Sequence, residues 1–483
     1  MFMMSMRKRL ILLLLAGSSG FLSCTDQFEE LNTDPNRIEK ISPGTLLNPI
    51  IYSLASFNTL RAADFTFNVM QVSLPFPSVS GGLHRYFVNE SEGNSTWNTY
   101  YRWLGNIKEM QAAAVAANDP NYEAIALTLN AWTYAQLTDC FGDVPMDEAS
   151  RGEEGIFTPA FNTQQQIYTK ILADLERANG LFQVARPMAY GTDLLYANSV
   201  ANWQRFCNSL SLRLLLRVSK RAEMGAPAKL AAILSNPTRY PVFTQNSEAA
   251  VLRITGVVPN VSPYGRAIDF TSNRAAGQFF IDNLNTLADP RLPRFATQAR
   301  SSNGATLIGY RGIPSAYTGS DSQFQYLSSN LNIALVTAPT VGVIMTYAEV
   351  EFIRAEAVLQ GYVAGDAKAA YDRGVRAAIE QWGAVLPTTY LQAPSAGAYD
   401  GTLARIMLQK YYALFFNDYQ QWFEYRRTGF PVLPRGAGLT NNGVMPVRFR
   451  YPTSVQISNA ANYERTVQAI GGDNINTKVW WER

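Results

Sequence analysis

Residues 97–117 and 121–140 form two long helical runs joined only by Asn118-Asp119-Pro120. So short a joint leaves two long helices one arrangement, side by side and antiparallel. The same logic recurs along the chain. Thr163 with Gln166 reads as a capping box, and Tyr168, Ile171, Leu175 and Ala178 then share one helical face. Residues 201–220 place Trp203, Phe206, Leu210, Leu214 and Val218 at spacings of three and four. A second capping box, Thr346 with Glu349, opens a helix carrying Val350, Ile353 and Ala357, and residues 365–382 are its expected partner. Leu403, Ile406, Met407, Lys410, Tyr411, Leu414 and Phe415 make another amphipathic face. Helices arriving as neighbours predict a mainly all-α fold of tetratricopeptide-like antiparallel pairs. No strict repeat period is visible, because long segments interrupt the pairs.

Those interruptions are the second constraint. Residues 71–96 contain Pro75, Pro77, Gly81, Gly82 and Gly93. Residues 236–345 mix Pro, Gly, Ser and aromatics with short alternating runs such as Val251 to Ile254, which predict a few short strands. Loops this long in a compact protein are usually functional. The expected layout is a signal segment over 1–23 and a single domain over 24–483. Within the domain, a helical scaffold spans 40–235 and 346–430, a loop-rich ligand-binding region spans 236–345, and an irregular segment spans 431–483.

The N-terminus is an export signal. Arg7, Lys8 and Arg9 precede the apolar run Leu10 to Ala16, which is too short to span a membrane. Small residues follow, then Phe21-Leu22-Ser23-Cys24. This resembles a bacterial lipobox, in which Cys24 is acylated and becomes the mature N-terminus. Several acyl chains, at roughly 0.8 kcal/mol per buried CH₂, would anchor the chain stably. Asp26, Glu29 and Glu30 then resemble the acidic start that sends some lipoproteins to the outer cell surface.

Removing that signal changes the charge arithmetic. The whole chain has 41 Lys+Arg against 38 Asp+Glu, and the three excess bases all lie in the signal. A neutral mature chain gives no reason to expect a nucleic-acid partner. One His, His84, excludes His-rich metal sites, and we read it as a loop residue. No Walker loop, GxGxxG, HExxH, GxSxG or EF-hand pattern occurs. No metal or cofactor is implied. Asp139 and Asp143 in Thr138–Pro145, or Glu349 with Glu356, could form a catalytic carboxylate pair. We read the aspartates instead as hydrogen-bonding in a turn, Glu349 as a cap and Glu356 as an ion-pair partner. Arg426 and Arg427, beside Trp422 and Tyr425, read as helix-end cations that cap carbonyls or pair with acids. Cys140 and Cys207 read as two buried free thiols.

Several blocks together carry a resemblance. Phe28-Glu29-Glu30-Leu31-Asn32-Thr33-Asp34-Pro35-Asn36 follows Cys24, and Thr138-Asp139-Cys140-Phe141-Gly142-Asp143-Val144-Pro145 comes later. Thr158-Pro159 through Asp174-Leu175, Arg205–Leu210 with Arg213, and Thr346–Glu349 running to Ala355-Glu356-Ala357 come next. Gln409-Lys410 through Trp422 to Arg426-Arg427-Thr428-Gly429 closes the set, with Met445–Arg448, Gly471-Gly472-Asp473 and Trp480-Trp481 beyond it. In this order they resemble SusD/RagB-family outer-membrane lipoproteins over nearly the whole mature chain. The match is poorest over 71–96 and 240–340, and Met146 stands where an aromatic is common. The resemblance implies a helical, non-enzymatic surface protein. It would capture a glycan or other oligomeric nutrient and pass it to a SusC-type TonB-dependent transporter.

A glycan site needs aromatic faces beside polar groups, on loops held by a rigid scaffold. The candidates are Phe76, Tyr86, Trp97 and Tyr100 in the first irregular stretch. In the second they are Tyr264, Arg266, Tyr310, Arg311, Tyr317, Phe324 and Tyr326. Three alternatives remain at this point: a peptide-binding uptake component, a glycoside hydrolase, and a pure protein-interaction scaffold.

Overall fold

A computed structural model describes residues 42–483. Cys24 and the lipobox lie outside the described residues. The architecture is mainly helical. Helix α1 (Pro43–Arg61) leads to the pair α2 (Asn94–Ala116) and α3 (Pro120–Phe141). Then come α4 (Gln164–Leu181), α5 (Val200–Arg217) and α6 (Ala226–Ser235). Each of these six helices packs against the next, so the first half of the scaffold is a serial antiparallel array.

The local reasons are the expected ones. Asp119 caps α3, accepting from the Asn121 and Tyr122 amides, and Pro120 takes the first helical position. Helix α2 turns Trp97, Tyr100, Leu104, Ile107 and Met110 inward. Helix α3 is buried on all sides from Ala124 to Leu129 and from Ala131 to Phe141, as befits the central member of an array. The Thr163–Gln166 capping box is present in full.

The second half repeats the theme. Helices α7 (Gln278–Thr286), α8 (Tyr347–Leu359), α9 (Ala367–Gln381), α10 (Leu403–Ala413) and α11 (Gln420–Thr428) follow. Helix α9 is the partner of α8, as the spacing predicts, and α10 packs on the same helix. Gly429, at φ 78°, ends α11 in the left-handed region. At Thr346 the expectation needs a correction. The Thr346 hydroxyl caps the Glu349 amide, but the Glu349 carboxylate binds the Arg213 guanidinium instead of reaching back.

Among the described residues, eight short strands decorate this scaffold: β1 (Ser73–Pro75), β2 (Val144–Pro145), β3 (Phe161–Asn162), β4 (Ala250–Ile254), β5 (Arg274–Ala276), β6 (Arg300–Ser301), β7 (Tyr326–Leu327) and β8 (Thr340–Met345). They pair antiparallel as β1–β5, β2–β3, β4–β8 and β6–β7. The β4–β8 ladder joins Ile254 to Thr340 and so closes the base of the long insertion. Alternation puts Ala250, Leu252 and Ile254 inward.

Two further expectations change. The 236–345 stretch is not free of helix, since α7 buries Phe280, Ile281 and Leu284 at helical spacing. The 431–483 stretch is not wholly irregular either. It carries α12 (Thr453–Ser458) and α13 (Ala460–Ile470). Tyr463, Val467 and Ile470, spaced four and three apart on α13, are half-buried and pack that helix against the core. Cys140 and Cys207 are buried and unpaired, as expected.

Candidate ligand-binding surface

The β1–β5 ladder positions the surface. Residues opposite one another on paired strands point to the same face. Leu74 lies opposite Ala275. With Ile313 and Tyr317 they form a small apolar core separate from the main one, and the half-buried Phe76 and Phe324 pack over it. The Phe76 amide continues the pairing by donating to the Asn273 carbonyl at 2.9 Å.

Five of the eleven candidates converge here. The Phe324 ring lies edge-on to Tyr317 at 4.8 Å, to Phe76 at 6.2 Å and to Tyr326 at 6.1 Å. The Arg311 guanidinium sits 5.8 Å from the Tyr326 ring centre. Hydrogen bonds fix the rings. Tyr326 donates to the Gly312 carbonyl at 2.9 Å, and Tyr317 donates to Asp321. Tyr317 is itself buried and supports the cluster from below. The surface therefore offers two half-buried phenylalanine rings, a half-buried tyrosine and an exposed guanidinium. Ring faces and edges beside a cation suit the mixed apolar and hydroxyl character of a sugar.

Arg85, which sequence reasoning missed, holds the adjoining loop. It donates to the Val79, Gly438 and Tyr317 carbonyls at 2.7, 3.1 and 2.9 Å, and to the Ser78 hydroxyl at 2.8 Å. Rigidity of this kind limits the entropy lost on binding. A second missed residue is Phe87, 49% exposed on the same loop.

Three candidates belong to the core and are corrected here. Trp97 and Tyr100 lie on the inward face of α2 with Leu104 and Ile107. Tyr100 is 1% exposed and donates to the Asn58 side chain at 2.8 Å. Tyr86 is buried, with φ 63°, and its neighbour Phe87 points out instead. Tyr264 and Arg266 lie together, lining a polar hollow with Asp64, Asp269 and Arg274. Tyr310 lines another, with Leu307, Leu327 and Arg300. His84 is buried and neither ring nitrogen has a partner among the described residues.

The acids weighed as catalytic are engaged elsewhere. Asp139 accepts from the Tyr168 hydroxyl and the Trp481 indole, both at 2.7 Å, and burial raises its carboxyl above the usual range. Asp143 accepts from the Gln164 amide. Glu349 pairs with Arg213 through both oxygens, and Glu356 pairs likewise with Arg427. Glu424 sits among Arg427, Lys410 and Arg217. Burial opposes its ionisation, but these cations together hold it well below the usual carboxylate range. Arg426 donates to the Asp139 carbonyl and to Glu482. Among the described residues, the blocks around Asp139, Arg213, Glu349–Glu356 and Lys410–Arg427 therefore contribute to a buried ionic network. Among the described residues no helix is long and apolar enough to cross a membrane.

Comparison with known proteins agrees with this architecture. No curated protein sequence matches the chain. Among solved structures, a chitin-binding protein superposes with a TM-score of 0.79 at 25% identity, over 91% of this chain and 100% of that one. A SusD homologue from Bacteroides fragilis gives 0.78 at 23% identity, over 92% and 100%. A SusD-like protein from Bacteroides thetaiotaomicron gives 0.73 at 21%, over 91% and 98%. The pattern of the SusD-like family described as "Starch-binding associating with outer membrane" matches residues 35–452. With the helical array, the loop-borne surface and the buried ionic network in place, the chain belongs to the SusD-like family.

Proposed function

We propose that this chain is a lipid-anchored, cell-surface binding protein of the outer membrane. It captures a glycan and delivers it to a SusC-type TonB-dependent transporter. The observation that carries the reading is the convergence of Phe76, Phe324, Tyr326 and Arg311 over the β1–β5 ladder. The family's starch-binding description and the chitin-binding relative support a glycan over a peptide. The structural engagement of Asp139 and Asp143 by hydrogen bonds, and of Glu349 and Glu356 by arginines, supports binding over glycoside hydrolysis. Cys24 supplies the anchor and acyl chains supply the membrane attachment.

Affinity electrophoresis in gels containing soluble starch or glycol chitin tests the binding claim. Retention by at least one gel, without product release, is the expected result. Phe324→Ala and Tyr326→Ala should each weaken it about tenfold, the equivalent of about 1.4 kcal/mol. Retention that ignores both substitutions refutes the assignment of the surface. Cys24→Ala should move the protein from the membrane to the soluble fraction, and persistent attachment refutes the anchor. Co-purification of the lipidated protein with a large outer-membrane transporter checks the partner.

A further inference from the structure

The hollow lined by Tyr264 and Arg266 lies on the opposite side of the β1–β5 ladder from the aromatic cluster. Leu74 and Ala275 face the cluster, so Pro75 and its partner Arg274 face away from it. The floor of the hollow comes from an irregularity in the first helix. Helix α1 widens into a π-helical turn over Ala62–Thr66, and Asp64 sits on that turn. Such turns are common at functional sites. Among the described residues the Asp64 carboxylate accepts no hydrogen bond. Partial desolvation raises its carboxyl, and Arg61 and Arg274 act on it only through their charge. Arg61 is already paired with Glu92 at 2.5 Å.

Arg274 forms the opposite wall. Its Nε donates to the Ser73 hydroxyl at 3.0 Å, and one terminal nitrogen donates to the Ser73 carbonyl at 3.0 Å and the Asn68 side chain at 3.4 Å. The other terminal nitrogen, Nη1, has no partner among the described residues. Tyr264 is half-buried and braced edge-on by Phe270 at 5.4 Å. Arg266 and Asp269 pair at the rim. The hollow holds about 230 Å³, below the range of about 300–1,000 Å³ typical of drug-sized ligands.

We propose that this hollow is a second binding site, for a single neutral sugar ring, separate from the aromatic surface. The proposal rests on the glycan-binding reading for its ligand class and on its own geometry for its place. Asp64 offers two acceptor oxygens for adjacent hydroxyls, Arg274 Nη1 offers a donor, and Tyr264 offers an apolar wall. The charges balance, since Asp64 and Asp269 face Arg274 and Arg266. An acidic sugar would meet both aspartates, and an amino sugar both arginines. A neutral ring meets no like charge.

Saturation-transfer NMR on the purified chain tests this. The probes are glucose, galactose, mannose and N-acetylglucosamine, with glucuronate and glucosamine as charged counterparts. Transfer to at least one neutral sugar is expected, with at least a fivefold loss on Asp64→Ala, a smaller loss on Asp64→Asn and an unchanged melting temperature. Asp64 is exposed and unpaired, so both variants should fold. No transfer to any neutral sugar, transfer indifferent to Asp64→Ala, or stronger transfer to glucuronate would each overturn the proposal. Gel retention read on the same variants separates the two claims. A chain that binds a monosaccharide through Asp64 but is retained by no polysaccharide refutes the function proposed above and leaves this site standing.

Discussion

Replacing Glu349 with Gln removes one charge from a buried, bidentate ion pair of the scaffold and leaves its shape intact. Glu349 accepts from Arg213 Nε at 2.7 Å and from Nη2 at 2.6 Å, and the two side chains are 2% and 3% exposed. No solvent can replace the lost partner. At about 4 Å and an effective dielectric of about 20, the attraction is about 4 kcal/mol. Removing one member of such a pair costs about 3–5 kcal/mol, because the other charge stays buried. Arg213 keeps the Ile344 carbonyl at 2.9 Å and the one amide oxygen of the new Gln, but no paired charge at this position, and its Nη1 already lacks a partner. Urea unfolding of Glu349→Gln should therefore lose about 3 kcal/mol, or roughly 1 M in midpoint for a slope of about 3 kcal/mol/M. The double variant Arg213→Leu/Glu349→Leu should recover at least about 2 kcal/mol of the summed single losses. Strict additivity, or a Glu349→Gln variant as stable as the parent, would refute the reasoning. The second outcome is also what a catalytic carboxylate would give.

His84, the only histidine, should give one ring resonance that titrates with a midpoint of about 4. Burial depresses it first and the charges of Arg85 and Arg274 next. Its folded value lies below the unfolded one, so its contribution to stability is complete above about pH 6.5 and is lost as pH falls toward 4. A midpoint near 6.5 would show that the imidazole is solvated. Gly277→Ala should destabilise the chain by at least about 2 kcal/mol in thermal unfolding, because a Cβ there would lie 2.0 Å from the Gln71 carbonyl oxygen. A neutral result would mean that β1 and β5 are not held this tightly. Cys140 and Cys207 should both resist a thiol reagent until the chain is denatured, since burial raises both thiols. Rapid labelling of the native chain would contradict their placement in the core.

The helix pairs were legible because spacing of three and four residues is a local signal. Trp203 to Val218 and Tyr168 to Ala178 name their own inward faces. The surface was legible only in part. Trp97 and Tyr100 stand at helical spacing with Leu104 and Ile107, and that signal already marked them as core. Tyr86 and Phe87 are adjacent aromatics in a loop, and no local rule says which one faces water. The left-handed conformation at Tyr86 decides it, and that depends on tertiary contacts. Asp64 and Arg274 were invisible because their meeting depends on a π-helical turn and on a ladder between residues 200 positions apart in sequence. Glu349 shows the converse. Its capping-box spacing was correct, and a buried guanidinium outcompeted the local hydrogen bond.

The β1–β5 ladder also sets the order in which the molecule can be completed. Ser73 meets Ala276, so closing that loop costs conformational entropy that no neighbouring turn can offset in advance. The segments on either side of β1 then need the far end of the chain, through Gln71 to the Pro434 carbonyl before it and Arg85 to Gly438 after it. Helices α1–α6 can gather from contacts close in sequence, whereas the aromatic cluster waits for Phe76 to meet residues beyond 310. A chain that stops short of residue 434 therefore lacks the anchors at Pro434 and Gly438 that hold the segments on both sides of β1.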